Sequence, residues 1–261
     1  MVKKMPSEKE YKVLKVIKKG KKYLVYFDNY EDEIILNEDK LVEYRIIQNA
    51  IFVSKDFNKI KKAANEVKYY EKVVNYINFK PRTKKEVYEY LKNLEASETQ
   101  INTLIKKLKD ISYINDERYT ESFIFEYIRK KKGSKYIEQT LEQKGIEKDL
   151  IYKYLDNYSK ELETENAIDV ANKYAKSITK NPIKKQRIQI NNKLISEGYP
   201  YDIINKVLYT IELVDESKDL LEKEYLKLKN KEEDKNKIIQ KLLAKGFEYS
   251  SIKEIINNNL E

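Results

Sequence analysis

The 261-residue chain contains neither cysteine nor histidine. Those two absences remove disulfides, thiol nucleophiles, Ser-His and Cys-His catalysis, zinc fingers and imidazole-bound metals together. Glycine is almost as scarce. The five glycines, Gly20, Gly133, Gly145, Gly198 and Gly246, never stand closer than twelve residues apart. Phosphate-binding loops and dinucleotide fingerprints pack several glycines into a few residues, so neither is present. Long apolar runs are missing too: nothing approaches the roughly 20 residues of a membrane span. The opening Met1-Val-Lys-Lys-Met-Pro-Ser-Glu-Lys-Glu10 lacks the apolar stretch of a secretory signal. A cytoplasmic protein with no membrane contact is expected. Catalysis would fall to carboxylates, Lys, Tyr or Ser. The one dense carboxylate cluster, Asp28 with Glu31, Asp32 and Glu33, sits in a hairpin region without a matched lysine. No enzyme, catalytic residue, metal site or cofactor is expected.

What remains is charge and a repeat. Lys and Arg number 53 against 44 Asp and Glu, a net charge of +9, which is compatible with a nucleic acid partner without establishing one. The chain is rich in Lys, Ile, Asn and Tyr, residues of A/T-rich codons, and only Arg45, Arg82, Arg118, Arg129 and Arg187 are arginine. A lone lysine run therefore reads as a solvated face; the informative feature is where acids are missing. Arg129, Lys130, Lys131, Lys132 and Lys135 span a helix end and the next helix start, where cations also complement the helix dipole by about 0.3 to 1 kcal/mol each. The stretch from Val170 to Ser196 holds Lys173, Lys176, Lys180, Lys184, Lys185, Arg187 and Lys193 with no Asp or Glu. It is the stronger candidate for an electropositive face toward phosphates or an acidic protein surface.

Three glycines share one context: Leu141-Glu-Gln-Lys-Gly145-Ile146, Leu194-Ile-Ser-Glu-Gly198-Tyr199 and Leu242-Leu-Ala-Lys-Gly246-Phe247. Each reads as a helix ending in a left-handed glycine followed by an apolar residue that folds back. Aligning on that glycine exposes a repeat of about fifty residues. Its apolar columns are Ile137, Ile190 and Ile238; Leu141, Leu194 and Leu242; Ile151, Ile204 and Ile252; Leu155, Leu208 and Ile256. A fourth copy upstream has Glu95 in the glycine place and keeps Val87, Leu91, Ile101 and Ile105. Capping boxes at Thr83-Lys-Lys-Glu86 and Ser97-Glu-Thr-Gln100, and prolines at Pro182 and Pro200, open helices in phase with it.

The pattern predicts helices over 83–94, 97–111 and 115–131, then 134–144, 147–157 and 160–178, then 182–197, 200–213 and 216–228, and finally 234–245 and 248–258. Three short helices bury little alone, so neighbouring units are expected to stack. The first eighty residues differ. Tyr11 to Lys18, Lys22 to Phe27 and Asp32 to Leu36 read as three antiparallel strands, Asn37 to Tyr44 as a short capped helix, and Ser54 to about Asn78 as a long one with an apolar face. The expected fold class is mainly α: tandem three-helix repeats in an elongated curved array behind a small antiparallel β module. The expected division is a sheet module over 1–50, a connecting helix over 51–80, repeats over 81–132, 133–180 and 181–231, and a partial two-helix repeat over 232–261.

Asn78-Phe-Lys-Pro-Arg-Thr-Lys-Lys-Glu-Val-Tyr-Glu-Tyr-Leu91, then Tyr113-Ile-Asn-Asp-Glu-Arg-Tyr119, then Arg129-Lys-Lys-Lys-Gly133 and Ile137 to Ile146 resemble the successive motifs of RecX proteins, modulators of the RecA recombinase. The resemblance is strongest over 76–155, and the N-terminal sheet with its long helix is similar to the extension of longer members. It marks Pro81, Arg82, Asp116, Glu117, Arg118, Tyr119, Gly133, Leu141, Lys144 and Gly145 as family-motif residues. Asn115 stands where the family has Asp, and Lys135-Tyr136 where it tends to carry Arg, which weakens the case for bidentate contacts there. Asp116 and Glu117 also suit a helix first turn, and Tyr119, Phe123 and Tyr127 are spaced for a core-facing stripe rather than for base stacking. The resemblance implies a monomer that binds the RecA filament on single-stranded DNA, directly or through RecA, and mostly inhibits strand exchange and ATP hydrolysis. A helix-turn-helix DNA-binding protein and a helical-repeat scaffold for protein partners are the alternatives.

Overall fold

The computed structural model describes residues 9–231 and 234–258. The opening residues read above for a leader, and the far ends of the 1–50 and 232–261 divisions, lie partly outside them. Two compact units form, Met1–Tyr119 and Thr120–Glu261.

The first unit begins with β1 (Glu10–Lys19), β2 (Lys22–Phe27) and β3 (Tyr30–Asn37), then α1 (Glu38–Glu43), β4 (Ile51–Val53) and the 26-residue α2 (Ser54–Phe79). Gly20, at φ +64, makes the tight β1–β2 turn that a side chain would resist. The sheet is antiparallel in the order β3-β2-β1-β4. Its register sets Val16, Val25 and Ile34 in one row, and Val25 and Ile34 are buried against Phe57, Ile60 and Ala63 of α2. Phe57 is the centre of this core: Tyr11 stacks on it, and the Phe27 and Tyr30 rings meet it edge-on. Asn37 caps α1 by accepting the Lys40 N–H. β4 is the element the sequence did not announce. Three apolar residues abutting a helix carry no alternation, and they become a strand only by pairing with Glu10–Lys12.

The C-terminal half of α2 enters a second core. Val73 and Ile77 pack with α3 (Lys84–Asn93) and α4 (Glu98–Asp110) around Val87, Leu91, Ile101, Ile105 and Leu108. Both capping boxes form: Thr83 with Glu86, and Ser97 with Gln100. The second unit continues from α5 (Asp116–Arg129) through α6 (Ser134–Gln143), α7 (Lys148–Leu155), α8 (Lys160–Ala175), α9 (Ile183–Ser196), α10 (Tyr201–Thr210), α11 (Lys218–Lys229), α12 (Lys235–Ala244) and α13 (Tyr249–Asn258). One buried cluster joins α8, α9 and α10, and another joins α11, α12 and α13.

The repeating turn has one geometry in all four copies. Gly145, Gly198 and Gly246 are left-handed, at φ +79, +82 and +95, and Glu95 adopts φ +63 in the same place. Ala96, Ile146, Tyr199 and Phe247 then donate their N–H groups back to Leu91, Leu141, Leu194 and Leu242, closing the last turn. The apolar columns are buried except at Leu155 and Leu208, which are partly buried, and Leu91, Leu141, Leu194 and Leu242 are wholly inaccessible.

Two helix ends differ from the pattern. α8 stops at Ala175 and α10 at Thr210, each three residues early. Ile211 is extended at φ −72 and ψ 136, and the chain after it is pinned to residues 179–186, the end of the α8–α9 loop and the first turn of α9. Gln186, fully buried, donates Nε2 to the carbonyls of Asn181 and Val214 at 2.7 Å each, and Glu216 N–H donates to the Thr179 carbonyl.

Candidate interaction surface

The first basic group is bound up with the junction between helices. Gly133 caps α6 with no side chain because none fits: an added Cβ would lie 2.2 Å from the Gly198 carbonyl oxygen. The Gly133 N–H donates to the Glu197 carbonyl at 2.9 Å, and the Lys135 N–H to the Gly198 carbonyl at 3.1 Å. Around this contact Lys132 Nζ and Lys193 Nζ each lie 2.5 Å from the Glu197 carboxylate. Burial opposes ionisation of Glu197, but the two ammonium groups together hold its carboxyl below the usual range. Lys131 pairs with Asp169 at 2.5 Å, and Lys130 with Glu126 at 2.5 Å. Arg129 lies over the Phe125 ring and Lys135 over Tyr201.

A buried polar network lies beneath. Glu163, 5% exposed, accepts the Ser134 N–H at 2.6 Å, and burial pushes its carboxyl up. Asn166 donates to the Tyr158 hydroxyl at 3.0 Å, and the Tyr199 hydroxyl donates to the Lys131 carbonyl at 2.5 Å. Burial pushes the Tyr158 phenol up to about 12 and the Tyr199 phenol higher. The sequence pattern missed these partners, which lie up to 68 residues apart.

The second basic group divides. Arg187 is spent on the Leu208 carbonyl and Lys193 on Glu197. Lys173, Lys176, Lys180, Lys184 and Lys185 are exposed, and none forms an ion pair among the described residues. Lys173 lies in the last turn of α8 and Lys176 caps it, as the helix dipole favours. Lys184 and Lys185 do the reverse. They occupy the first turn of α9, which has no acidic residue and no side-chain cap, so two cations face the positive end of the dipole. Local stability does not account for them. Twelve residues before the turn residue, Thr83, Gly133 and Asp234 cap their helices. The corresponding position in the third copy is Gln186, and α9 starts one turn earlier. That extra turn carries Lys184 and Lys185, and the backbone of Gly246 passes close to it.

Of the remaining motif residues, Arg82, Asp116 and Arg118 have partners within the fold. Arg82 lies over the Tyr76 ring at 3.8 Å, and Tyr76 stacks on Tyr90. Asp116 accepts the Lys84 N–H at 2.8 Å, and the Arg118 N–H donates to Asn115. Phe123, buried, stacks on Tyr127, which in turn stacks on Tyr136. Pro81 is exposed, and Glu117, Tyr119 and Lys144 lie at exposed or half-buried positions. Among the described residues no three acidic side chains converge as a metal site would need, and no helix is long and apolar enough to cross a membrane.

Residues 70–108 match the family description "RecX, first three-helix domain", and residues 115–155 match "RecX, second three-helix domain". These spans take in the end of α2 with α3 and α4, then α5 with α6 and α7, a phase one helix earlier than the division at 81 and 133. "Regulatory protein RecX" of Streptococcus agalactiae is 32% identical over 266 residues, covering 95% of this chain and all of the relative. Its namesake in Listeria welshimeri is 28% identical, with 93% of each chain covered. A crystal structure of regulatory protein RecX shares the fold at a TM-score of 0.61 and 24% identity, covering 76% of this chain and 98% of that one. RecX from Lactobacillus salivarius does so at 0.51 and 31% identity, covering 56% and 96%. With the turn geometry, the helical units and the sheet module in hand, an alignment spanning nearly the whole chain settles the assignment: the chain belongs to the RecX family of regulatory proteins.

Proposed function

We propose that this protein binds RecA filaments on single-stranded DNA and modulates the recombinase, mostly by inhibition. It acts in the cytoplasm as a monomer, lodges along the filament groove, and lowers ATPase and strand exchange by blocking filament growth or promoting disassembly. Family membership supports this reading, as does the supply of successive similar helical units suited to a partner that repeats along its axis. The observation that carries it is the placement of Lys184 and Lys185. Two exposed cations with no ion pair among the described residues sit at the wrong end of a helix dipole within a 27-residue stretch free of acids, which makes sense where an anionic surface supplies the missing countercharge. Purified protein titrated into RecA on single-stranded DNA should reduce ATP hydrolysis at well below one molecule per protomer. No effect at any ratio refutes the reading. Salt-insensitive binding to RecA without DNA would favour a plain protein scaffold instead.

A further inference from the structure

A second acid-free segment lies outside the helical repeats. Residues 11–27 contain Lys12, Lys15, Lys18, Lys19, Lys21 and Lys22 with no Asp or Glu, and they form β1, the Gly20 turn and β2. Lys12, Lys15, Lys18, Lys19 and Lys21 are exposed, and none of these five forms an ion pair among the described residues; Lys22 pairs with Glu71 at 2.5 Å.

The strand register gives this charge a pattern. Directly opposed residues share a face of the sheet, so the pairs Ile17↔Leu24 and Leu24↔Ile35 set three apolar side chains in a row across β1, β2 and β3. The row lies on the face opposite Val16, Val25 and Ile34, and all three of its members are only partly buried. One step along the strands on one side stand Lys15 and Tyr26; one step on the other stand Lys19, Lys22 and Asn37. At about 3.4 Å per residue, Lys15 and Lys19 bracket the apolar row across about 14 Å. The Tyr26 hydroxyl donates to Glu33 at 2.9 Å, which places one carboxylate at the β3 rim.

We propose that this sheet face is a binding surface for single-stranded nucleic acid, separate from the helical repeats. A single strand alternates flat apolar bases with anionic phosphates. The face offers the complement, an apolar row of Ile17, Leu24 and Ile35 with the Tyr26 ring beside it and an exposed lysine at each border, Lys15 on one and Lys19 on the other. A duplex hides its bases, and an acidic protein surface has no use for the apolar row between the lysines. The inference rests on nucleic acid being a ligand, as the recombinase reading has it, and it adds a site on the N-terminal module.

The test uses the full chain and a labelled oligo(dT) strand without recombinase, followed by anisotropy from about 50 to 200 mM salt. The triple variant Lys15→Glu, Lys19→Glu and Lys21→Glu should weaken binding at least about tenfold and lower the salt slope by about 2, at about 0.7 per phosphate contact on a single strand. A control, Lys206→Glu, Lys227→Glu and Lys253→Glu, changes net charge equally at exposed helical positions and should lose far less. Equal losses in the two variants overturn the inference, as does loss of binding to a polyglutamate peptide with oligo(dT) binding intact. A wild-type chain that ignores oligo(dT) yet slows the recombinase also overturns it, leaving the recombinase reading in place. Oligo(dT) binding that depends on the hairpin, by a chain with no effect on RecA, supports the site and refutes the other reading.

Discussion

Residues 129–135 and 170–196 look alike as sequence, and the structure treats them differently. In the first, Lys130, Lys131 and Lys132 each have a carboxylate partner, two of them 38 and 65 residues away. In the second, five of seven cations have none among the described residues. The lesson is that a basic run reports on a binding surface only after its internal partners have been subtracted. A run beside a tight backbone junction is mostly consumed in holding that junction. An acid-free run on exposed helix ends leaves most of its charge uncompensated among the described residues.

The sharpest way to break this contrast is at Gly133. Gly133→Ala sets a methyl against the Gly198 carbonyl, where repacking would have to move backbone, and should cost about 3 kcal/mol in urea unfolding. A negligible loss would show that the junction is looser than the geometry implies and would undermine the structural reading of 129–135. Next in size is Glu197→Gln, which strips the charge shared by Lys132 and Lys193; a loss of about 1.5 to 3 kcal/mol is expected for a charge-assisted contact of this burial. Lys130→Gln serves as the control, since its exposed pair with Glu126 should leave the unfolding midpoint unchanged.

Reversing Lys176, Lys180, Lys184 and Lys185 to Glu should do the opposite. Helix content and unfolding midpoint should hold, while affinity for RecA filaments on single-stranded DNA falls at least about tenfold, about 1.4 kcal/mol. Filament affinity unchanged by all four reversals would clear 170–196 of a binding role. Lowered helix content would mean that these lysines have structural partners after all.

Much of this architecture was legible beforehand. The turn columns, the capping boxes and even the left-handed bend at Glu95 follow from local spacing, because a helix end is a local event. What escaped has a common cause, dependence on distant residues. β4 exists only through Glu10–Lys12, and α8 and α10 end early where Gln186 and Thr179 hold the chain from Val214 to Glu216. The candidate site was legible in part: the acid-free stretch was visible, whereas the engagement of Arg187 and Lys193 required the folded neighbours. The hairpin lysines stand in a stretch just as free of acids that the sequence reading did not single out, and the apolar row between them needed the register.

The smallest expected effect is a pH signature confined to the first region. Two carboxylates serve the start of α6, and their environments push them in opposite directions. Glu197, held below its ordinary 4.5 by Lys132 and Lys193 against the cost of burial, contributes stability that is complete above that value and fades as pH falls through its folded value. Glu163, pushed up chiefly by burial, binds its proton more tightly folded than unfolded. Its contribution is therefore fullest below 4.5 and fades as pH rises through the raised value. Urea midpoints taken across the acid range should converge for wild type and Glu197→Gln as pH drops. For Glu163→Gln the wild type should lose ground as pH rises. Changing Lys176, Lys180, Lys184 and Lys185 to Gln instead neither removes nor adds a carboxylate, so the midpoints of that variant should run parallel to wild type throughout. Parallel curves for all three variants would mean that neither carboxylate senses the α6 junction, and the distinction between a region that holds the fold and one proposed to face a partner would then rest on the Gly133 contact alone.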